Sequence, residues 1–253
     1  MTESEFLASY DMTKYPRPSV TVDDVILSFD EKPALKILLI RRGEHPYLGK
    51  WALPGGFVAT GKDVADRESP DDAVAREVLE ETGVECTWSE QLFTYGAVDR
   101  DPRGHVISIA YISAIPTDRL EDTKVLGGDD ASDACWFELD SVRPNIRLRS
   151  ARETLTEHDL AFDHARIIAD AITRIAGKLR WTDVATHFVG DGETFTMPQL
   201  RKFCETVLSL QYDKQVRLDP GNFHRDTSPF LELVPSKGKG PRGASFYRRS
   251  QVG

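Results

Sequence analysis

The stretch that decides the reading is Arg76-Glu-Val-Leu-Glu-Glu-Thr-Gly-Val84. Ala73, Val74, Val78 and Leu79 recur at helical spacing among charges, which predicts an amphipathic helix over Ser69 to Thr82. Ser69 suits the N-cap, Pro70 the first helical position, and Gly83 a stop just past the last turn. On that helix Glu77, Glu80 and Glu81 stand at i, i+3 and i+4, so the three carboxylates share one face. Exposed like charges at this spacing repel by roughly 0.2–0.5 kcal/mol per pair unless a cation lies between them. Hard oxygen donors on a rigid element suit Mg²⁺ or Mn²⁺, which in turn bridge phosphate oxygens. The plain alternative is a solvated acidic helix face.

Upstream, Trp-Ala-Leu-Pro-Gly-Gly-Phe-Val (51–58) reads as a short strand broken by a tight bend. The backbone of Gly55 and Gly56 can approach phosphates there, with Phe57 beside them. Glu68 stands eight residues before Arg76, close enough to pair with it and pin the loop to the helix. Further out, 19–29, 34–42, 92–98, 106–115 and 135–139 are apolar or β-branched runs that predict strands. Asp99 to His105 has the composition of a turn.

The second half differs in kind. Residues 164–179 place Ile167, Ile168, Ala171, Ile172, Ile175 and Leu179 on one helical face. Thr196 to Gln199 is a capping box opening a helix with Leu200, Phe203, Cys204, Val207 and Leu208 on one side. A short helix starts at Asp219-Pro220, and Pro229 limits its length. Residues 231–234 and 244–249 then read as a β-hairpin with a long basic tip.

Bulk properties bound the rest. A chain of 253 residues, 40% hydrophobic and 29% charged, has globular composition and room for one or two domains. Its net charge of −9 argues at face value against nucleic acid, but the distribution does not. Residues 1–155 hold 18 Lys/Arg against 29 Asp/Glu, and residues 156–253 hold 14 against 12. From 233 onward Lys237, Lys239, Arg242, Arg248 and Arg249 meet no acid, so two modules with different partners are expected. Cys86, Cys135 and Cys204 lie far apart without metal-ligand or disulfide spacing, as in a reducing compartment. The acidic start of the chain is no secretory signal, and no run reaches the roughly 18 apolar residues that cross a bilayer. A soluble, cytoplasmic protein without membrane partners is expected.

Glu68, Arg76, Glu77, Val78, Glu80, Glu81, Gly83 and Val84 match the fixed positions of the Nudix hydrolase signature G-x5-E-x7-R-E-U-x-E-E-x-G-U, and the sequence resembles that family. One position departs. Lys62 stands where the first Gly belongs, and its natural counterpart, Gly56, lies six residues earlier, which reads as an insertion before the helix. The resemblance implies an α/β/α sandwich over the first 155 residues, with Glu77, Glu80 and Glu81 binding divalent metal for attack on a diphosphate. Residues 17–23, 38–58, 99–111 and 160–165 look like the ADP-ribose-directed branch. Arg41, Arg42, Arg100 and Arg103 are then candidates for diphosphate contact, with Gly55, Gly56 and Phe57 completing the effector site. Asp129, Asp130 and Asp133 are candidate groups for a catalytic base.

Phe195 to Arg249 has the order of a winged helix-turn-helix. Asn222, His224 and Arg225 would lie on its recognition helix. Lys237, Lys239 and Arg242 would sit on the wing, with Arg201 and Lys202 as phosphate anchors. The whole chain thus resembles the Nudix-related transcriptional regulators of bacterial NAD metabolism. That implies an α+β protein with a Nudix-like module at 1–155 and a DNA-binding module with its linking helix at 156–253. It further implies a homodimer that binds a palindromic operator in double-stranded DNA and releases it on binding ADP-ribose or a related nucleotide. A Mg²⁺-dependent ADP-ribose pyrophosphatase with a dimerising tail is the competing reading.

Overall fold

The computed structural model describes the chain except residues 12–13, 31, 33, 62–63, 121–130, 181, 192, 239, 241–242 and 251–253. Its spine is strand β1 (Ser19–Asp30), a β-branched run buried along nearly all its length. Such a run fits only a central strand covered on both faces. β2 (Ala34–Arg42) pairs with it antiparallel, Leu27 opposite Ile37, and β5 (Val106–Ile115) pairs with it parallel over ten residues. β3 (Trp51–Ala52) lies against β2. β4 (Trp88–Tyr95), β6 (Ala131–Ser141), β7 (Arg147–Arg149) and β8 (Thr154–Thr156) complete the sheet in the order β4-β5-β1-β2-β6-β7-β8. Ahead of it, α1 (Glu3–Ser9) is closed by a Thr2–Glu5 capping box and buries no residue.

Alternation along β1 and β2 assigns the two faces. Val22, Ile26 and Leu38 meet Ala73, Val74 and Val78 of α2 (Pro70–Thr82). Val25, Leu27, Ile37 and Leu39 meet Ile167, Ile168, Ala171, Ile172 and Ile175 of α4 (His164–Lys178), which follows the short α3 (Thr117–Leu120). The second helical layer of the sandwich therefore lies beyond residue 155.

The same core runs on into the tail. Phe203 of α5 (Met197–Tyr212) stacks on Phe188 at 4.8 Å and meets Phe29 of β1 edge-on at 5.5 Å. α5 opens with the full Thr196–Gln199 capping box. α6 (Pro220–Thr227) is capped by Asp219 and stops before Pro229. β9 (Phe195–Thr196), β10 (Leu231–Leu233) and β11 (Phe246–Arg249) form a separate sheet in the order β10-β11-β9. Strand, helix, helix and hairpin make the winged arrangement expected of the tail. The pairing of β9 with the hairpin was invisible in sequence, because two residues carry no periodicity.

Candidate effector cleft and DNA-binding surface

The carboxylate helix is seated by its neighbours. Ser69 Oγ accepts the Asp72 N–H at 3.1 Å, and Gly83 (φ +70°) closes the other end. The Gly55 N–H donates to Glu81 Oε2 at 2.8 Å. A Cβ on Gly56 would come within 2.3 Å of Glu77 Oε1, and one on Gly55 (φ +154°) within 2.1 Å of the Val22 carbonyl. Gly56 is thus the space that Glu77 needs, while Gly55 lets the bend lie against the backbone of β1.

Arg76 pairs with Glu68 through Nη2–Oε1 at 2.6 Å and Nε–Oε2 at 3.0 Å, the pin expected from their spacing. It also reaches Glu77 at 3.0 Å and Glu80 at 2.9 Å, so the cation among the carboxylates in this structure is an arginine. The extra residues before the helix fold back on themselves. Thr60 bridges Arg67, Glu68 N–H donates to Ala59 O at 3.3 Å, and Ala59 N–H donates to Glu68 Oε1 at 2.8 Å. The chain on the two sides of the added residues is therefore closed at Ala59–Glu68 and Thr60–Arg67. Lys62 lies outside the described residues.

Glu77 and Glu81 line a cleft of about 450 Å³, together with Arg42, Arg103, Phe162 and His164. Glu80 does not line the cleft and its side chain is 57% exposed. Among the described residues no three His, Cys, Asp or Glu side chains are gathered to hold a metal as they stand. The donor set still fits a hard cation. Burial raises the Glu77 pKa against the pull of Arg76, a cost that a neighbouring cation would reverse. Glu68, by contrast, is held low by its bonds from Arg76.

The arginines divide. Arg103 stands between the rings of Phe57 (5.1 Å) and Phe162 (5.8 Å), with Asp101 holding its guanidinium at 2.7 Å. Arg42 lies 5.2 Å from the Phe162 ring centre. Arg100 also lines the cleft, but it is buried and bonded to Asp163 at 2.8 Å and Asp23 at 3.3 Å. Its charge is already neutralised, which makes it a bracing group more than a diphosphate ligand. Arg41 does not line the cleft; its Nε donates to Gly49 O.

Sequence reasoning gave no role to the cluster beneath the cleft. His164 Nδ1 accepts the Leu53 N–H at 2.9 Å, while Nε2 stands 3.4 Å from Asp23. Burial alone would raise Asp23, but His164, Ser108 and Arg100 together bring it down to about 2. The signal was present: Asp163 and His164 are the polar residues at the head of an otherwise apolar helical face. Of the candidate bases, Asp133 lies on β6 bonded to Arg152 at 3.3 Å and away from the cleft lining. Asp129 and Asp130 lie outside the described residues.

In the tail, Asn222, His224 and Arg225 are exposed on α6, and Lys202 is exposed on α5. Arg201 instead ties α5 to the turn before α6, bonding Glu205 at 2.8 Å and Leu218 O at 3.2 Å. Lys237 is bonded to Asp191 and Thr194 and lies over the Phe246 ring. Lys239 and Arg242 lie outside the described residues.

A sandwich with a polar cleft under a carboxylate helix, continued into a winged helix through one core, defines a ligand-binding module fused to a DNA-binding one. The NUDIX domain profile matches residues 18–158. The chain is 30% identical to the ADPR responsive transcriptional repressor NtrR of Acinetobacter baylyi, over 98% of this chain and 88% of the relative. It is 40% identical to the ADP-ribose pyrophosphatase of Methanocaldococcus jannaschii, over 62% of this chain and 74% of that protein. Among solved structures, a MutT/nudix family protein from Enterococcus faecalis superposes with a TM-score of 0.80 at 32% identity, covering 99% and 94% of the two chains. Shewanella oneidensis NrtR complexed with a 27mer DNA gives 0.70 at 29%, covering 91% and 93%. The NUDIX domain of that NrtR complexed with ADP ribose gives 0.56 at 33%, covering 69% and 99%. The chain belongs to the NUDIX family, and its likeness to the repressor continues through the winged-helix tail.

Proposed function

We propose that this protein is a transcriptional repressor of NAD biosynthesis or salvage genes, released from its operator by ADP-ribose or a related nucleotide bound in the cleft. The observation that carries the reading is the shared element. Phe162 and His164 line the cleft, and the helix that starts at His164 packs on α5 of the winged helix. A ligand that displaces Arg103 or Phe162 acts on the first turn of α4, and α4 is continuous with the core holding the DNA-binding helices. We place the sensing module at 1–155, completed by α4 as its second helical layer, and the DNA-binding module with that linking helix at 156–253, in a cytoplasmic homodimer on a palindromic site. No helix among the described residues is long and apolar enough to cross a membrane. The test is a mobility-shift assay on operator DNA with and without ADP-ribose; a complex that ignores ADP-ribose contradicts the reading.

A second activity is favoured by the intact Glu68–Arg76 pin and by the likeness to an ADP-ribose pyrophosphatase. Hydrolases of the NUDIX family generally use divalent metal ions, and here Mg²⁺ or Mn²⁺ would be held by Glu77, Glu80 and Glu81. When bound, the metal supplies an activated water and neutralises diphosphate charge. The chain's own residues place the carboxylates: Gly55 fixes Glu81, Gly56 leaves room for Glu77, and Arg76 holds helix and loop together. Glu77→Gln with Glu81→Gln is expected to abolish Mg²⁺-dependent release of AMP and ribose 5-phosphate while DNA binding stays measurable. Unchanged hydrolysis would misplace the metal site.

A further inference from the structure

Against α2, apart from the cleft, lies a second cavity of about 720 Å³. The wall formed by α2 and the residue that follows it is apolar: Val74, Val78, Leu79 and Val84. Leu79 is 48% exposed at its edge, so the apolar wall reaches solvent. Asp24 of β1 contributes to the lining although the residue is only 1% exposed. Its Oδ1 has no hydrogen-bond partner, while the side chain bonds Ser113 across the sheet.

A buried carboxyl oxygen without a donor costs free energy, and that cost is reversed by any ligand that brings one. The remaining polar lining is acidic or neutral. Asp71, Glu85 and Glu90 are present; Tyr111 already donates to Asp71 at 2.6 Å and Lys178 to Glu90 at 2.6 Å from outside the lining, and no Lys, Arg or His lines the cavity itself among the described residues. An anion would find no cation there. A bare metal ion would find too few converging oxygens beside the apolar wall. What matches that wall is a compact apolar body, and what matches Asp24 is an N–H donor carrying positive charge.

We propose that this cavity is a second ligand site, distinct from the effector cleft, that takes a small organic ammonium or amidinium cation with its charged end on Asp24 and its apolar body against Val74, Val78, Leu79 and Val84. The helix that closes it also carries Glu77 and Glu81 on the adjoining face, so an occupant touches the scaffold of the cleft while sharing none of its lining residues. Burial and then the adjacent Asp23 raise the Asp24 pKa to about 7 against the bond from Ser113, so a cationic donor beside it would be favoured. The inference stands on the cavity alone and does not depend on the repressor reading.

The test is a methyl-NMR titration of the full chain with benzylammonium, using benzyl alcohol as the uncharged match in shape. Saturable shifts are expected at the methyls of Val74, Val78, Leu79 and Val84, with the alcohol weaker by about tenfold or more. Asp24→Asn keeps the shape and removes the charge; it is expected to bring the amine down to the level of the alcohol. Val74→Phe, which fills the cavity and leaves Asp24 in place, is expected to abolish both and decides the matter if the Asn variant does not fold. Equal affinity for amine and alcohol, an unaffected Asn variant, shifts centred on the cleft, or no saturable shift (a cavity holding water only) would each overturn the proposal.

Discussion

The cleft beneath α2 and the exposed face of α6 are held in different ways. In the cleft nearly every polar side chain is held by another: Arg76 by Glu68, Arg103 by Asp101, Arg100 by Asp23 and Asp163, and His164 by Leu53 and Asp23. On the tail, Asn222, His224 and Arg225 project from a short helix that buries no side chain of its own. A site that must bind one small ligand needs geometry fixed in advance. The α6 side chains are held more lightly and at the surface: His224 meets Tyr247 Oη at 3.2 Å, and Arg225 meets Asp226 at 3.3 Å with both side chains largely exposed. The two are nevertheless joined by one hydrophobic core, which runs from β1 through α4 to α5.

That junction is where the comparison breaks most visibly. Phe203 is fully buried between Phe188 and Phe29, so Phe203→Ala is expected to cost about 3–5 kcal/mol. The loss should fall on a single unfolding transition in urea, reported alike by probes in sheet and tail; two separate transitions would mean that the modules fold independently. Next in size, Arg225→Ala is expected to weaken operator binding by about 1–3 kcal/mol, and random duplex by less. Equal losses on both would make it a phosphate contact.

The smallest effect concerns the strap between wing and sheet. His187 stacks on Trp88 of β4 at 4.7 Å and is bonded by Arg249 of β11. Burial, and then the Arg249 charge, lower its pKa from 6.5 to about 4. The folded state therefore favours neutral imidazole, while the unfolded chain takes up a proton near pH 6.5. The stability this holds is complete above pH 6.5 and is lost as the pH falls toward 4. His187→Gln should flatten that part of the pH–stability profile, and an unchanged slope would assign it to other groups.

Much of this was legible in the residues, for identifiable reasons. The strands at 19–30, 34–42 and 106–115 follow from β-branched runs, and the helices from 70, 164 and 197 follow from caps and periodicity. The carboxylate helix with its Glu68 pin was readable because its partners are eight residues apart. The Asp23–Arg100–Asp163–His164 network was not, because its members come from distant parts of the chain and meet only after β1, the 99–105 turn and α4 have packed. Charge counting also has a limit. Lys237 and Arg201 looked like DNA contacts as isolated cations, yet folding gives each an internal carboxylate. The end of α6 at Thr227 was readable from Pro229, since proline's constraints act locally.

Binding in the cleft and binding at the α6 surface are expected to weaken one another. That coupling is tested most directly by the anisotropy of labelled operator DNA titrated with the protein, with and without saturating ADP-ribose, alongside Arg103→Ala. The account predicts that ADP-ribose weakens operator binding by roughly 5–150-fold in the native chain, the usual range of coupling, and far less in the variant. Undiminished operator affinity while calorimetry shows ADP-ribose bound would contradict it.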